Sequence, residues 1–130
     1  MHIYKTRSFE KWAGKEGLTD AALAAAVAEM ENGLIDADLG GHVVKKRIAL
    51  PGRGKSGGAR TLLAYRTQDR AFFVYGFAKN ERDNIDSQEL KALKRLATIM
   101  LSWTATQLAH AVQQGKLLPV NPDGKEDNHD

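Results

Sequence analysis

Apolar and polar positions change period along the chain. His2 to Thr6, HIYKT, reads as a short strand with Ile3 between polar neighbours. Two helical segments follow. Ser8 opens SFEKWAGKEG, with Glu10 and Lys11 in its first turn, and Gly17 stops it. Thr19 or Asp20 caps TDAALAAAVAEMENG, and Gly33 closes it. Its alanines favour helix, and Leu23, Val27 and Met30 lie on one side. So short a link makes the two segments a helical hairpin.

From His42 the period falls to two. HVVKKRIAL places Val43, Lys45, Arg47 and Ala49 on one face, with Val44, Lys46, Ile48 and Leu50 on the other. Ala59 to Arg66 and Ala71 to Ala78 read as two more strands joined by the turn TQDR, and short links imply antiparallel pairing. From Asp86 the helical period returns. Leu90, Leu93, Leu96, Ala97, Met100, Leu101, Thr104, Leu108, Ala111 and Val112 make one apolar stripe. That is a single helix of about seven turns, capped by Asp86 or Ser87 and ended by Gly115. The order β-α-α-β-β-β-α predicts an α+β domain with an antiparallel sheet, helices mainly on one of its faces, and a long C-terminal helix. The domain covers residues 1–115, and the polar residues 116–130 form a disordered tail.

Composition narrows the class. At 130 residues, with 42% hydrophobic and 27% charged, the chain is long enough to bury a core without metal or disulfide support. The absence of cysteine removes thiolate chemistry. No apolar run suits a membrane span, and MHIYKTRSFEKW is no signal peptide, so a cytoplasmic protein is expected.

Charge sharpens the picture. The net +3 hides a segment, Val43 to Arg82, with ten Lys or Arg against Asp69 and Glu81, a balance of +8. A polyanionic partner rewards such clustering; a solvated surface is the competing explanation.

The Gly-Lys-Ser at residues 54–56 resembles the end of a phosphate-binding loop. However, Ala49 stands where that loop needs glycine, and the glycines lead into a strand instead of the helix whose N-terminus would hold phosphates. The four histidines, at 2, 42, 110 and 129, are scattered without a carboxylate at ligand spacing, so no metal site is expected. That leaves the cations. Lys45 and Arg47 share a strand face; Arg60 opens the next strand beyond a loop carrying Arg53 and Lys55; Lys79, Glu81 and Arg82 follow the third strand. Were the three strands adjacent, these cations would converge on one side, with the long helix packed on the other. Preorganised arginine and lysine stabilise a charged transition state at phosphorus, and a lysine among like charges gives up its proton more readily.

VVKKRIALPGRGKSGGARTLLAY, FFVYGFAKNERDNI and ELKALKRLA together resemble the RelE toxins of type II toxin–antitoxin modules, in the RelE/ParE superfamily near its HigB-like branch. The resemblance implies an endoribonuclease that cuts messenger RNA, typically on the ribosome, without metal or small-molecule cofactor. It works by 2′-hydroxyl attack on the adjacent phosphate, and a cognate antitoxin holds it inactive. Carried over by position, Lys45, Arg60, Lys79 and Arg82 are the implied catalytic residues, and Arg47, Arg53, Lys55 and Lys46 the implied RNA contacts. Two positions depart from the family pattern: Asn80 replaces an arginine of some members, and a base-stacking tyrosine is replaced near Asp86. Tyr65 or Tyr75 are the candidates to take over stacking. A ParE-like gyrase-binding toxin and a non-catalytic nucleic-acid- or partner-binding module stay open as alternatives.

Overall fold

A computed structural model describes residues 1–121 apart from Arg53, Asn80 and Asp83, with backbone only for residues 54–57. Along the chain run β1 (His2–Thr6), α1 (Arg7–Glu16), α2 (Asp20–Glu31), β2 (Ala37–Gly40), β3 (Val43–Leu50), β4 (Gly54–Arg66), β5 (Arg70–Ala78), α3 (Ser87–Ser102), α4 (Ala105–Gln113) and β6 (Leu117–Pro119). The sheet order is β2-β3-β4-β5-β1-β6. The α+β class is as expected. The element list is longer than the predicted order, with β2 and β6 added at the two edges and the last helix divided.

Each difference has a local cause. α1 starts before the expected Ser8, because Thr6 at the end of β1 caps it: its hydroxyl accepts from Phe9 N–H at 3.2 Å. Gly17, at φ 78°, ends it as predicted. The predicted long helix breaks at Trp103, whose ψ of 138° is extended, and Thr104 then opens α4 in a capping box with Gln107. The apolar stripe runs through this break because α3 and α4 cover the same side of the sheet. Trp103 meets Phe72 edge-on, ring centroids 6.4 Å apart. β1 pairs with β5 in parallel, since the α1–α2 hairpin intervenes, while β3, β4 and β5 form the expected antiparallel meander.

The domain also extends past residue 115. Leu117 and Val120 are buried, β6 pairs with β1, and Val120 N–H donates to the Ile3 carbonyl at 2.9 Å. Residues 122–130, the remainder of the expected tail, lie outside the described residues.

Both faces of the sheet are covered, not one. Phe9, Leu23, Val27 and Met30 of α1 and α2 pack on Val44, Ile48, Leu63 and Phe73. Leu93, Ala97, Met100 and Leu101 of α3, with Leu108 and Ala111 of α4, pack on Val43, Leu62, Ala64 and Phe72. Beneath α1 and α2, buried Lys5 contacts Asp20 at 2.5 Å and Glu10 at 2.6 Å. Burial works against its charge, but the two carboxylates outweigh that and raise its pKa. Among the described residues no helix is long and apolar enough to cross a membrane.

Candidate functional site

The three central strands build two cross-strand rows on the face that α3 and α4 cover only in part. Val43 of β3 and Leu62 of β4 belong to the α3-side core, so Lys45, Arg47 and Arg60 share that side by alternation. The register Arg47↔Arg60↔Phe77 makes one row and Lys45↔Leu62↔Tyr75 the other.

A bulge in β5 completes both rows. Leu62 pairs with Tyr75 but Leu63 pairs with Phe73, so Val74 is an extra residue and the alternation flips beyond it. Strict alternation from Phe73 would turn Tyr75 and Phe77 under α1. Instead they face the cations, and Gly76 faces α1 with the Trp12 ring lying against it. Tyr75 is 38% exposed, an aromatic surface in the row of Lys45 with Leu62 between them.

The structure distributes the predicted residues unequally. Lys45 is half-buried, and among the described residues it has no ion pair. Arg47 is exposed and reaches Asp36 with Nε–Oδ1 3.0 Å, while its backbone N–H donates to the other carboxylate oxygen at 2.6 Å. Burial favours the neutral acid at Asp36, but these Arg47 donors prevail and hold its carboxyl below the usual range. Arg60 is only 6% exposed, between Arg47 and Phe77. Lys79 is exposed just past β5.

Arg82 is tied down. Its Nη2 and Nη1 meet the two Glu89 oxygens at 2.6 and 3.2 Å, Nε donates to the Asn84 carbonyl at 2.9 Å, and the guanidinium lies 5.4 Å from the Phe77 centroid. These contacts draw Arg82 to the Phe77 row. Its hydrogen bonds with Glu89 raise the arginine's pKa and lower that of the acid.

Lys46 does not join them. It is buried beneath α2, its Nζ 2.7 Å from Glu29 and donating to the Leu34 carbonyl at 2.9 Å. Contrary to the expected RNA contact, alternation turns Lys46 to the opposite face, away from Lys45, Arg47 and Arg60. Tyr65 is also on that face, buried and hydrogen-bonded to Glu31, which leaves Tyr75 as the accessible ring. Arg53, the Lys55 side chain and Asn80 lie outside the described residues. Two further cations of the basic segment are structural. Arg66 donates to the Leu101 carbonyl at 2.8 Å and Arg70 to the Trp103 carbonyl at 2.6 Å, satisfying the C-terminal end of α3.

Asp36 and Glu89 were absent from the sequence-derived set. Glu89 had a signal, since Asp86 three residues before it forms the capping-box pattern. Asp36 had none, because its contact with Arg47 depends on how β2 docks on β3. Among the described residues no three His, Asp or Glu side chains are grouped to hold a metal ion.

A family profile described as RelE toxin of RelE / RelB toxin-antitoxin system matches residues 1–120, nearly the whole described chain. The chain belongs to the RelE toxin family. It is thus a toxin of a toxin–antitoxin pair, and membership implies a cognate antitoxin as partner. RelE proteins are generally associated with ribonuclease toxins, and the cationic rows lie within the matched segment. A search of curated proteins returns no match.

Proposed function

We propose that this RelE-family toxin is an endoribonuclease that cuts messenger RNA on the ribosome without a metal ion. The observation that carries the proposal is the juxtaposition of Arg47, Arg60 and Lys45 with an exposed Tyr75 on one sheet face. Phosphate backbone needs the cations, and a base pulled from its stack needs the ring.

In this reaction the ribose 2′-oxygen attacks the adjacent phosphorus. The new 2′-O–P bond forms as the P–O5′ bond breaks, leaving a 2′,3′-cyclic phosphate and a 5′-hydroxyl. Lys45 takes the 2′ proton, with Lys79 the second candidate for that role, and the leaving 5′-oxygen takes a proton from solvent water. Arg60 and Arg82 stabilise the charge that builds on the phosphorane oxygens, while Arg47 and Lys55 hold the backbone. Tyr75 stacks on the base beside the cleaved bond, a role the family pattern gives to a tyrosine near position 86. A ribosomal substrate places the action in the cytoplasm, until the antitoxin covers the site.

The test is to map RNA ends after incubating the purified toxin with ribosomes translating a defined message. The wild type produces codon-phased cuts. Lys45→Ala and Tyr75→Ala each lower the cleavage rate at least about 100-fold while keeping a cooperative thermal transition. Arg60 is buried, so Arg60→Lys accompanies Arg60→Ala to separate lost chemistry from lost folding. A folded wild type that leaves the message intact overturns the proposal; gyrase-linked DNA breaks on induction would favour the ParE-like alternative.

A further inference from the structure

Arg82 follows β5 on a turn, where a long side chain has many rotamers open to it. Three of the five guanidinium N–H groups are nevertheless engaged, one with Asn84 and two with Glu89. One face of the guanidinium is closed by the Phe77 ring. Glu89 is itself anchored: its Oε1 accepts from the Asp86 N–H at 2.9 Å, and its own N–H donates to Asp86 Oδ1 at 2.8 Å. A continuous chain of contacts thus runs from the first turn of α3 through Glu89 to Arg82, and on to Phe77 in the row of Arg47 and Arg60.

We infer that Glu89 is a positioning residue for the site: its carboxylate, fixed by the α3 capping box, sets the plane of the Arg82 guanidinium so that the remaining N–H groups meet the scissile phosphate without reorganisation. The inference rests on the proposed role of Arg82 at RNA. A bidentate carboxylate suits the task because its two parallel bonds fix direction as well as distance. The same oxygen that receives the strongest Arg82 contact also closes the helix cap, so the arginine and the helix share one anchor.

A purely structural Glu89 would act only through the helix cap, and substitutions separate the two roles. Glutamine at the third helical position still closes a capping box, so Glu89→Gln keeps the cap and weakens the hold on Arg82. Asp86→Ala removes the side-chain half of the cap but keeps the backbone N–H of residue 86 that holds Glu89 Oε1, and so leaves the Arg82 contacts with Glu89 and Asn84. Three readouts apply to both: the Tm, kcat and KM for cleavage of ribosome-bound message, and solvent exchange of the Arg82 Nε–H by nitrogen-15 NMR. For Glu89→Gln the expected result is a Tm near that of the wild type, kcat lower by roughly tenfold or more, KM little changed and faster Nε–H exchange. For Asp86→Ala it is a lower Tm with kcat kept within about twofold. Wild-type kcat in Glu89→Gln, while Arg82→Ala is impaired, overturns the positioning role and leaves the ribonuclease reading intact. A wild-type protein with no cleavage overturns both. A kcat loss in Asp86→Ala matching that in Glu89→Gln would make the cap the cause and also overturn the inference.

Discussion

The Lys46 ammonium lies 2.7 Å from Glu29 under α2, whereas the guanidinium of the next residue reaches Asp36 on the outer side of the sheet. Adjacent cations on a strand face opposite ways, and here one is enclosed and the other is offered to solvent. Lys46→Ala leaves the Leu34 carbonyl without its donor and loses the Glu29 pair, so we expect a loss of about 1–3 kcal/mol with RNA affinity kept. Arg47→Ala breaks a more exposed pair, worth at most about 1 kcal/mol, but removes the proposed contact with the RNA backbone. It should reduce the slope of log affinity against log salt by about 1. Chemical denaturation and RNA titrations at several salt concentrations check both; an unchanged slope for Arg47→Ala would remove it from the interface.

Strand β5 shows how a small irregularity in one element builds a site. The extra residue at Val74 turns Tyr75 and Phe77 toward the cations and sets Gly76 beneath Trp12. A Cβ at position 76 would stand 2.2 Å from Trp12 Cζ3, a distance only a displaced ring can relieve. Gly76→Ala is therefore expected to destabilise by at least about 1–3 kcal/mol. Trp12→Leu should recover part of that in the double variant, giving a non-zero coupling energy in thermal or urea melts. Independent, additive effects would show that the ring does not constrain the strand there. The bulge also explains why alternation misdirects a reader of β5: period two holds up to Phe73 and resumes in the opposite phase.

Across the molecule, charged pairs are spread over both faces of the sheet and respond to opposite ends of the pH range. Asp36 and Glu89 have pKa values below the ordinary 3.8 and 4.5 of their side chains. Their contribution is complete above those values and is lost as pH falls through the lower folded ones. Lys5 is raised above its ordinary 10.5, so its contribution is complete below that value and is lost as pH climbs through the folded one. The expected profile of Tm against pH is a plateau between the two limits. Asp36→Asn should flatten the acid limb and Lys5→Met the alkaline limb. If Lys5→Met leaves the alkaline limb unchanged, the buried cluster of Lys5, Glu10 and Asp20 is not its source.

The α+β class, the two N-terminal helices, the antiparallel meander and the sharing of one face by Lys45, Arg47 and Arg60 could all be read from the chain. Each depends on local periodicity, on caps and turns, or on short links between neighbouring strands. The break at Trp103 was legible in part, through the Thr104–Gln107 cap, but the unbroken apolar stripe concealed it. The remaining features depend on contacts between residues distant in the chain. Such contacts bury Lys46 and Arg60, spend Arg66 and Arg70 on the end of α3, bring Asp36 to Arg47, and flip Tyr75 through a bulge. A segment with ten basic residues announces an anionic partner, but the packed sheet decides which of them are enclosed, as Lys46 is beneath α2, and which keep exposed surface, as Arg47 and Lys79 do.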